Sequence, residues 1–199
     1  MNREEIKNNK IKRLLNSAFN LFIKKGINDT TIQEIVDNAG VGKGTFYFYF
    51  KDKFEIQDML ISQKAQELFD NSLKKLKNRK NLEFLADQVV LLLDDVINQL
   101  NNNQGLLKFI SKNLSYNVYN NAVQTIYEKN EETITNLFNN GIKSNGEKLK
   151  YPKVLLSMII ELVGSTCYHS ILYSEPLPIQ EYKPILYNNI QIMLEDPIN

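Results

Sequence analysis

The chain has 199 residues, 43% of them hydrophobic and 24% charged, a formal net charge of +1, one histidine and one cysteine. This is ordinary soluble globular material, long enough for one or two small domains, and the lone Cys167 excludes an internal disulfide and leaves no zinc-ligand set. No run of about 18 consecutive apolar residues occurs and residues 1–20 lack a signal-peptide core, so a cytoplasmic protein with no membrane partner is expected.

Helical periodicity runs along the whole chain, and no period-two strand pattern of any length interrupts it. A first helix is predicted over Glu4 to Lys25, with Ile11, Leu14, Leu15, Ala18, Phe19 and Phe22 on one face and Gly26 as its stop. Thr31 and Glu34 have the spacing of a capping box ahead of a second helix from Ile32, which ends at Gly40 in a left-handed turn. Val41 should plug the space between helices, and Gly42 should cap a third helix from Lys43 to Phe50.

In that third helix Phe46 and Phe50 lie four apart and can pack inward, which leaves Lys43, Gly44, Thr45, Tyr47, Phe48 and Tyr49 pointing partly or wholly outward. Gly44 costs roughly 1 kcal/mol in a helix relative to alanine, a penalty that makes sense where a backbone must come close to a phosphate or sugar. Thr45 and the tyrosine hydroxyls can donate to phosphate oxygens, Lys43 and Lys53 can neutralise them, and Phe48 or the Thr45 methyl can touch a thymine methyl. Asp52 should cap a fourth helix from Lys53 to Lys77, whose free amides would add a phosphate contact. Two short helices about a glycine turn, the second with such a face, form a helix-turn-helix that enters a DNA major groove.

Charge is divided along the chain in the same sense. Residues 1–53 hold ten Lys or Arg against six Asp or Glu, and residues 54–199 hold fourteen against seventeen. A basic N-terminal part beside a mildly acidic remainder is the footprint of a small DNA-binding domain on a body that stays off phosphates.

These residues resemble the TetR-type bacterial transcriptional regulators. The likeness covers roughly residues 10 to 56 and includes Thr31, Ile35, Ala39, Gly40, Val41, Gly44, Thr45, Phe46, Tyr47, Tyr49, Phe50 and Lys53 in order and without gaps. The family usually has alanine at Val36 and often serine at Gly42; the second change removes a hydroxyl, so Gly42 is not counted as a DNA ligand. The resemblance implies phosphate or base contacts for Thr45, Tyr47, Tyr49 and Lys53. The candidate DNA-binding set is Thr31, Lys43, Gly44, Thr45, Tyr47, Phe48, Tyr49 and Lys53.

The fold expected is all-α with about nine helices: a three-helix helix-turn-helix domain over residues 1–53 and a larger helical ligand-binding and dimerisation domain over 54–199. In the body, helices are predicted from beyond Asn81 to Leu100, over Leu106 to Leu114, over Ser115 to Ile142, from Pro152 to about Tyr173, and from near Lys183, with Pro184 in the first turn, to Glu195. The resemblance implies a homodimer through the last two helices, a double-stranded operator of (pseudo)palindromic form, and a small-molecule effector that releases a repressor. Phe84, Phe109, Tyr116, Tyr119, Tyr127, Tyr168 and His169 supply a pocket suited to an apolar or aromatic effector. No cofactor or metal is expected. An enzyme is set aside, since the chain has no nucleophile elbow, phosphate loop or paired metal-ligand spacing. The alternative is a sensor or interaction protein that keeps the fold without binding DNA.

Overall fold

The computed structural model describes residues 3–79, 84–112, 137, 146, 147 and 149–195, and every regular element among them is a helix. In chain order these are α1 (Arg3–Lys25), α2 (Ile32–Ala39), α3 (Lys43–Tyr49), α4 (Lys53–Lys77), α5 (Leu85–Asn102), α6 (Gln104–Lys112), α7 (Pro152–Tyr173) and α8 (Ile179–Glu195). The helix expected over Ser115 to Ile142 lies outside the described residues, and with it Tyr116, Tyr119 and Tyr127.

Two compact units are present. The headpiece unit contains the described residues up to Lys64 together with residues 108–112, and the body unit contains those from Ala65 to Leu107 and the C-terminal helices. In the headpiece, apolar residues three and four apart on α1, α2 and α4 meet in one core. Leu14, Ala18, Ile35, Phe46, Ile56 and Ile61 are completely enclosed in it. Phe109, expected in a body pocket, is buried in this core: its ring sits edge-on to Phe19 at 5.4 Å and stacks on Phe22 at 6.3 Å. The α1 aromatics therefore offer it an apolar slot, and nothing polar in the ring opposes its use.

Glycine ends two headpiece helices where backbone geometry demands it. Gly26 has φ of +85° and Gly40 +60°, and a side chain at Gly40 would also collide with the Arg13 guanidinium.

The body unit has its own core, built from α5, α7 and α8 around Val89, Leu93, Ile97, Ile159, Val163, Leu186, Ile190 and Leu194. Asn103 ends α5 and its carboxamide oxygen accepts from the Leu106 amide at 3.0 Å, starting α6. Cys167 is enclosed, and burial pushes its thiol up to about 11, so it behaves as a small apolar residue.

The last helix differs from expectation. It begins at Ile179 rather than near Lys183, so Pro184 lies inside it. Pro178 lends its carbonyl to the Glu181 and Tyr182 amides at 2.9 and 3.0 Å, and buried Ile179 and Lys183 hold the first turn against the body. The carbonyl that Pro184 leaves without its amide belongs to exposed Gln180, where water can satisfy it.

A polar cluster fastens α8 to α5 within this core. The Lys183 ammonium donates to Asp94 at 2.8 Å and to Asn98, and the Tyr187 hydroxyl donates to Asp94 at 2.8 Å. Burial alone would raise the Asp94 carboxyl, but Lys183, Tyr187 and Asn98 together outweigh it and hold the group below its ordinary value; burial and then Asp94 push the Tyr187 phenol upward. The folded pKa of Asp94 is thus depressed, so the cluster contributes stability above the ordinary carboxylate range and loses it on acidification. Removing one partner of a fully buried pair costs about 3–5 kcal/mol. Because 38% of the Asp94 side chain remains exposed, we expect Lys183→Ala to cost only about 1–2 kcal/mol, read as a lowered urea midpoint at neutral pH, with the difference from wild type shrinking below pH 4.

Candidate nucleic-acid interface

Helix α1 holds α2 at three points along its length. The Ser17 hydroxyl donates to the Ile35 carbonyl at 2.7 Å inside the core, Arg13 donates to the Gly40 carbonyl at 3.0 Å, and Lys25 pairs with Glu34 at 2.6 Å. Thr31 forms the expected capping box: its hydroxyl accepts from the Glu34 amide at 3.2 Å, and its own amide donates to the Glu34 carboxylate at 2.9 Å. Lys25 first, then the Thr31 amide and hydroxyl, hold the Glu34 carboxyl down at about 2.

The turn follows from Gly40 and Val41. The Gly40 amide donates to the Asp37 carbonyl and the Val41 amide to the Val36 carbonyl, while the Val41 side chain packs against the headpiece core as expected. Gly42 then caps α3 through its backbone alone. Phe46 is fully buried and Phe50 nearly so, their rings 5.7 Å apart. At about 100° per residue, burial of Phe46 turns Gly44 and Phe48 to the opposite side; Lys43 and Tyr47 are exposed as well, and Thr45 and Tyr49 are half-buried. Tyr47 is 56% and Phe48 77% exposed. Both rings are braced: Tyr47 meets Phe46 edge-on at 5.5 Å, and Phe48 meets Tyr49 edge-on at 4.9 Å.

Gly44 has open space where a side chain would begin and an ordinary helical backbone. The described residues therefore place no steric demand for a glycine there.

Two members of the expected set have internal partners. Thr31 is occupied by Glu34, its hydroxyl donating to the carboxylate at 2.9 Å. The Lys53 ammonium donates to the carbonyls of Ile27, Asn28 and Thr30 at 2.7, 3.0 and 3.0 Å. A lysine ammonium has three protons, and all three are committed to the loop between α1 and α2.

The start of α4 carries the expected Asp52 cap. Asp52 accepts from the Phe54 and Glu55 amides at 2.8 and 2.9 Å, and Glu55 accepts from the Lys51 amide. The Phe54 and Glu55 amides, expected to be open to a phosphate, are therefore occupied. Desolvation first, then Asp52 and Glu55, raise the Asp58 carboxyl above its ordinary value.

In the body, Phe84 is the residue before α5 and 39% exposed. Tyr168 is half-buried and His169 exposed on α7, their rings 5.2 Å apart, with Tyr173 at 6.2 Å from Tyr168. Among the described residues no three His, Cys, Asp or Glu side chains come together to hold a metal ion.

A helix-turn-helix with this outward face defines a class of DNA-binding regulatory domain. Residues 14–57 match the model of the bacterial regulatory proteins of the tetR family. That match runs from α1 through the helix-turn-helix to the start of α4. It is 38% identical over 71 residues to the HTH-type transcriptional regulator YerO of Bacillus subtilis, a match covering 36% of this chain and 23% of that protein. Over 186 residues it is 23% identical to an HTH-type transcriptional regulator of Staphylococcus aureus strain USA300, covering 94% of each. The chain aligns with half or less of the length of the three B. subtilis relatives that are 30–38% identical to it. Its fold matches the transcriptional regulator FadR from B. subtilis, solved in complex with stearoyl-CoA, with a TM-score of 0.65 at 17% identity over 94% of this chain and 99% of that one. These relatives are named as regulators, not as enzymes.

Lys53 anchors the headpiece loop from a half-exposed position. Charge-assisted hydrogen bonds contribute about 1.5–3 kcal/mol when well enclosed, so Lys53→Met is expected to destabilise the protein by about 1–2 kcal/mol. Chemical denaturation followed by circular dichroism checks it; an unchanged midpoint contradicts the anchoring role.

Proposed function

We propose that the chain is a sequence-specific DNA-binding transcriptional regulator that places α3 in the major groove of a double-stranded operator. The observation that carries this reading is the outward face of α3: Phe46 and Phe50 account for the core, and Tyr47, Phe48, Lys43 and the bare backbone at Gly44 are exposed among the described residues. Lys43, Thr45, Tyr47 and Tyr49 serve phosphates and base edges. Thr31 and Lys53, expected in the same set, act from behind by holding the cap of α2 and the loop that precedes it.

A single helix-turn-helix buries little surface on DNA, and two copies on half-sites about one helical turn (~34–36 Å) apart supply the rest. We infer a two-fold dimer through α7 and α8 on a (pseudo)palindromic operator. Only a third of the stretch from Val154 to Tyr173 is buried within one chain, although its length and composition would let it cross a membrane. Val154 and Met158 on α7, and Ile185 and Ile192 seven apart on α8, are about half exposed. Small residues Gly164 and Ser165 are exposed on α7 and allow close helix approach.

The regulator is read as a repressor that leaves its operator when an apolar or aromatic effector binds the body. The aromatics Phe84, Tyr168 and His169, with Tyr116, Tyr119 and Tyr127, are the supply for such a site, and the FadR structure, solved in complex with stearoyl-CoA, supports an apolar ligand for this fold. The effector can shift the equilibrium only by its differential affinity for the free and DNA-bound forms.

Thr45→Glu and Tyr47→Ala are expected to reduce operator binding roughly a hundredfold, since each removes a contact of about 1.5 kcal/mol from both half-sites. Dimerisation should remain intact. Wild-type affinity in both variants contradicts the regulator reading and favours a fold-retaining sensor without DNA binding. Ile185→Glu combined with Ile192→Glu should shift the protein from dimer to monomer in light scattering; a persisting dimer places the interface elsewhere.

A further inference from the structure

Helix α3 has no arginine, asparagine or glutamine; the helix consists of Lys43, Gly44, Thr45, Phe46, Tyr47, Phe48 and Tyr49. Arginine on guanine and asparagine or glutamine on adenine are the side chains that read base edges bidentately in the major groove. Apart from Lys43 in its first turn, the helix must therefore discriminate bases by other means. Its most prominent side chain is Phe48, 77% exposed and fixed edge-on to Tyr49 at 4.9 Å. A phenyl ring has no donor or acceptor for a phosphate. The apolar feature that distinguishes one base from another in the major groove is the C5 methyl group of thymine.

We propose that Phe48 is a specificity-determining residue that reads a thymine methyl in each operator half-site. The inference rests on the DNA-binding reading above and deepens it by naming the base chemistry recognised. Phe48 gains from the methyl by removing apolar surface of both groups from water. The bracing by Tyr49 means that little rotamer freedom remains to be lost on contact. The T·A pair is selected at this position because cytosine, guanine and adenine present no methyl there.

The test uses the full-length protein and duplexes it selects from a randomised pool, resynthesised with uracil for thymine at one symmetry-related pair of positions at a time. Uracil differs from thymine only by the lost methyl. For one pair, wild-type affinity should fall about fifteenfold, which is a fourfold loss per half-site as converted from ~0.8 kcal/mol per buried carbon. Phe48→Ala should bind the thymine and uracil forms of that duplex equally. Phe48 is exposed, so the variant should keep the wild-type melting temperature, which is measured alongside. Wild-type indifference to uracil at every position overturns the methyl reading while leaving DNA binding intact. The same uracil penalty in Phe48→Ala also overturns it, assigning the methyl to another side chain. Failure to enrich any duplex overturns the DNA-binding reading and this inference with it.

Discussion

The direction in which α3 faces depends on the burial of one ring. Phe46 has no exposed surface, and Phe50, four residues on, has almost none. Fully burying an aromatic side chain contributes about 1.5–3 kcal/mol relative to leaving it exposed, and a helix of seven residues has little else to fix its rotation. Once Phe46 points inward, the helical repeat sets Phe48 on the opposite side and Tyr47 at the flank. The exposed aromatics follow from that constraint, as does the isolation of Gly44 on the outer side.

Burial fixes the rotation of α3, and polar contacts fix where its supporting helix lies. Apolar packing is non-directional, so α2 could slide on α1 without large loss. Ser17, Arg13 and Lys25 each reach a different point on α2, from the middle carbonyl to the last turn to the first. Lys53 closes the loop that leads into the capping box. Internal hydrogen bonds thus engage Arg13, Lys25 and Lys53, three of the ten basic residues that composition alone assigns to DNA.

Local signals were legible in the sequence because they act over three or four residues. The Thr31–Glu34 capping box, the left-handed Gly40, the inward Phe46 and Phe50 and the outward Tyr47 and Phe48 all follow from spacing along one helix. The contacts that were not legible join residues far apart in the chain. Nothing near Lys53 indicates that three carbonyls some 25 residues earlier await it, and Ser17 looks like a tolerated small residue on an apolar face until Ile35 is placed beside it. Phe109 was misplaced for a similar reason: periodicity marks a ring as buried without saying which core receives it. The start of α8 was obscured by Pro184, because the position four residues before it, Gln180, is exposed and makes an internal proline tolerable in a way that sequence does not display.

The central claim is that the α3 face engages a particular DNA sequence, and fluorescence anisotropy on a duplex from the chain's own upstream region, beside a scrambled duplex, tests it most directly. At about 50 mM and about 200 mM salt, the account predicts tighter binding to the native duplex and an affinity that falls steeply with salt as counterions are released. No binding to either duplex at the lower salt would contradict it.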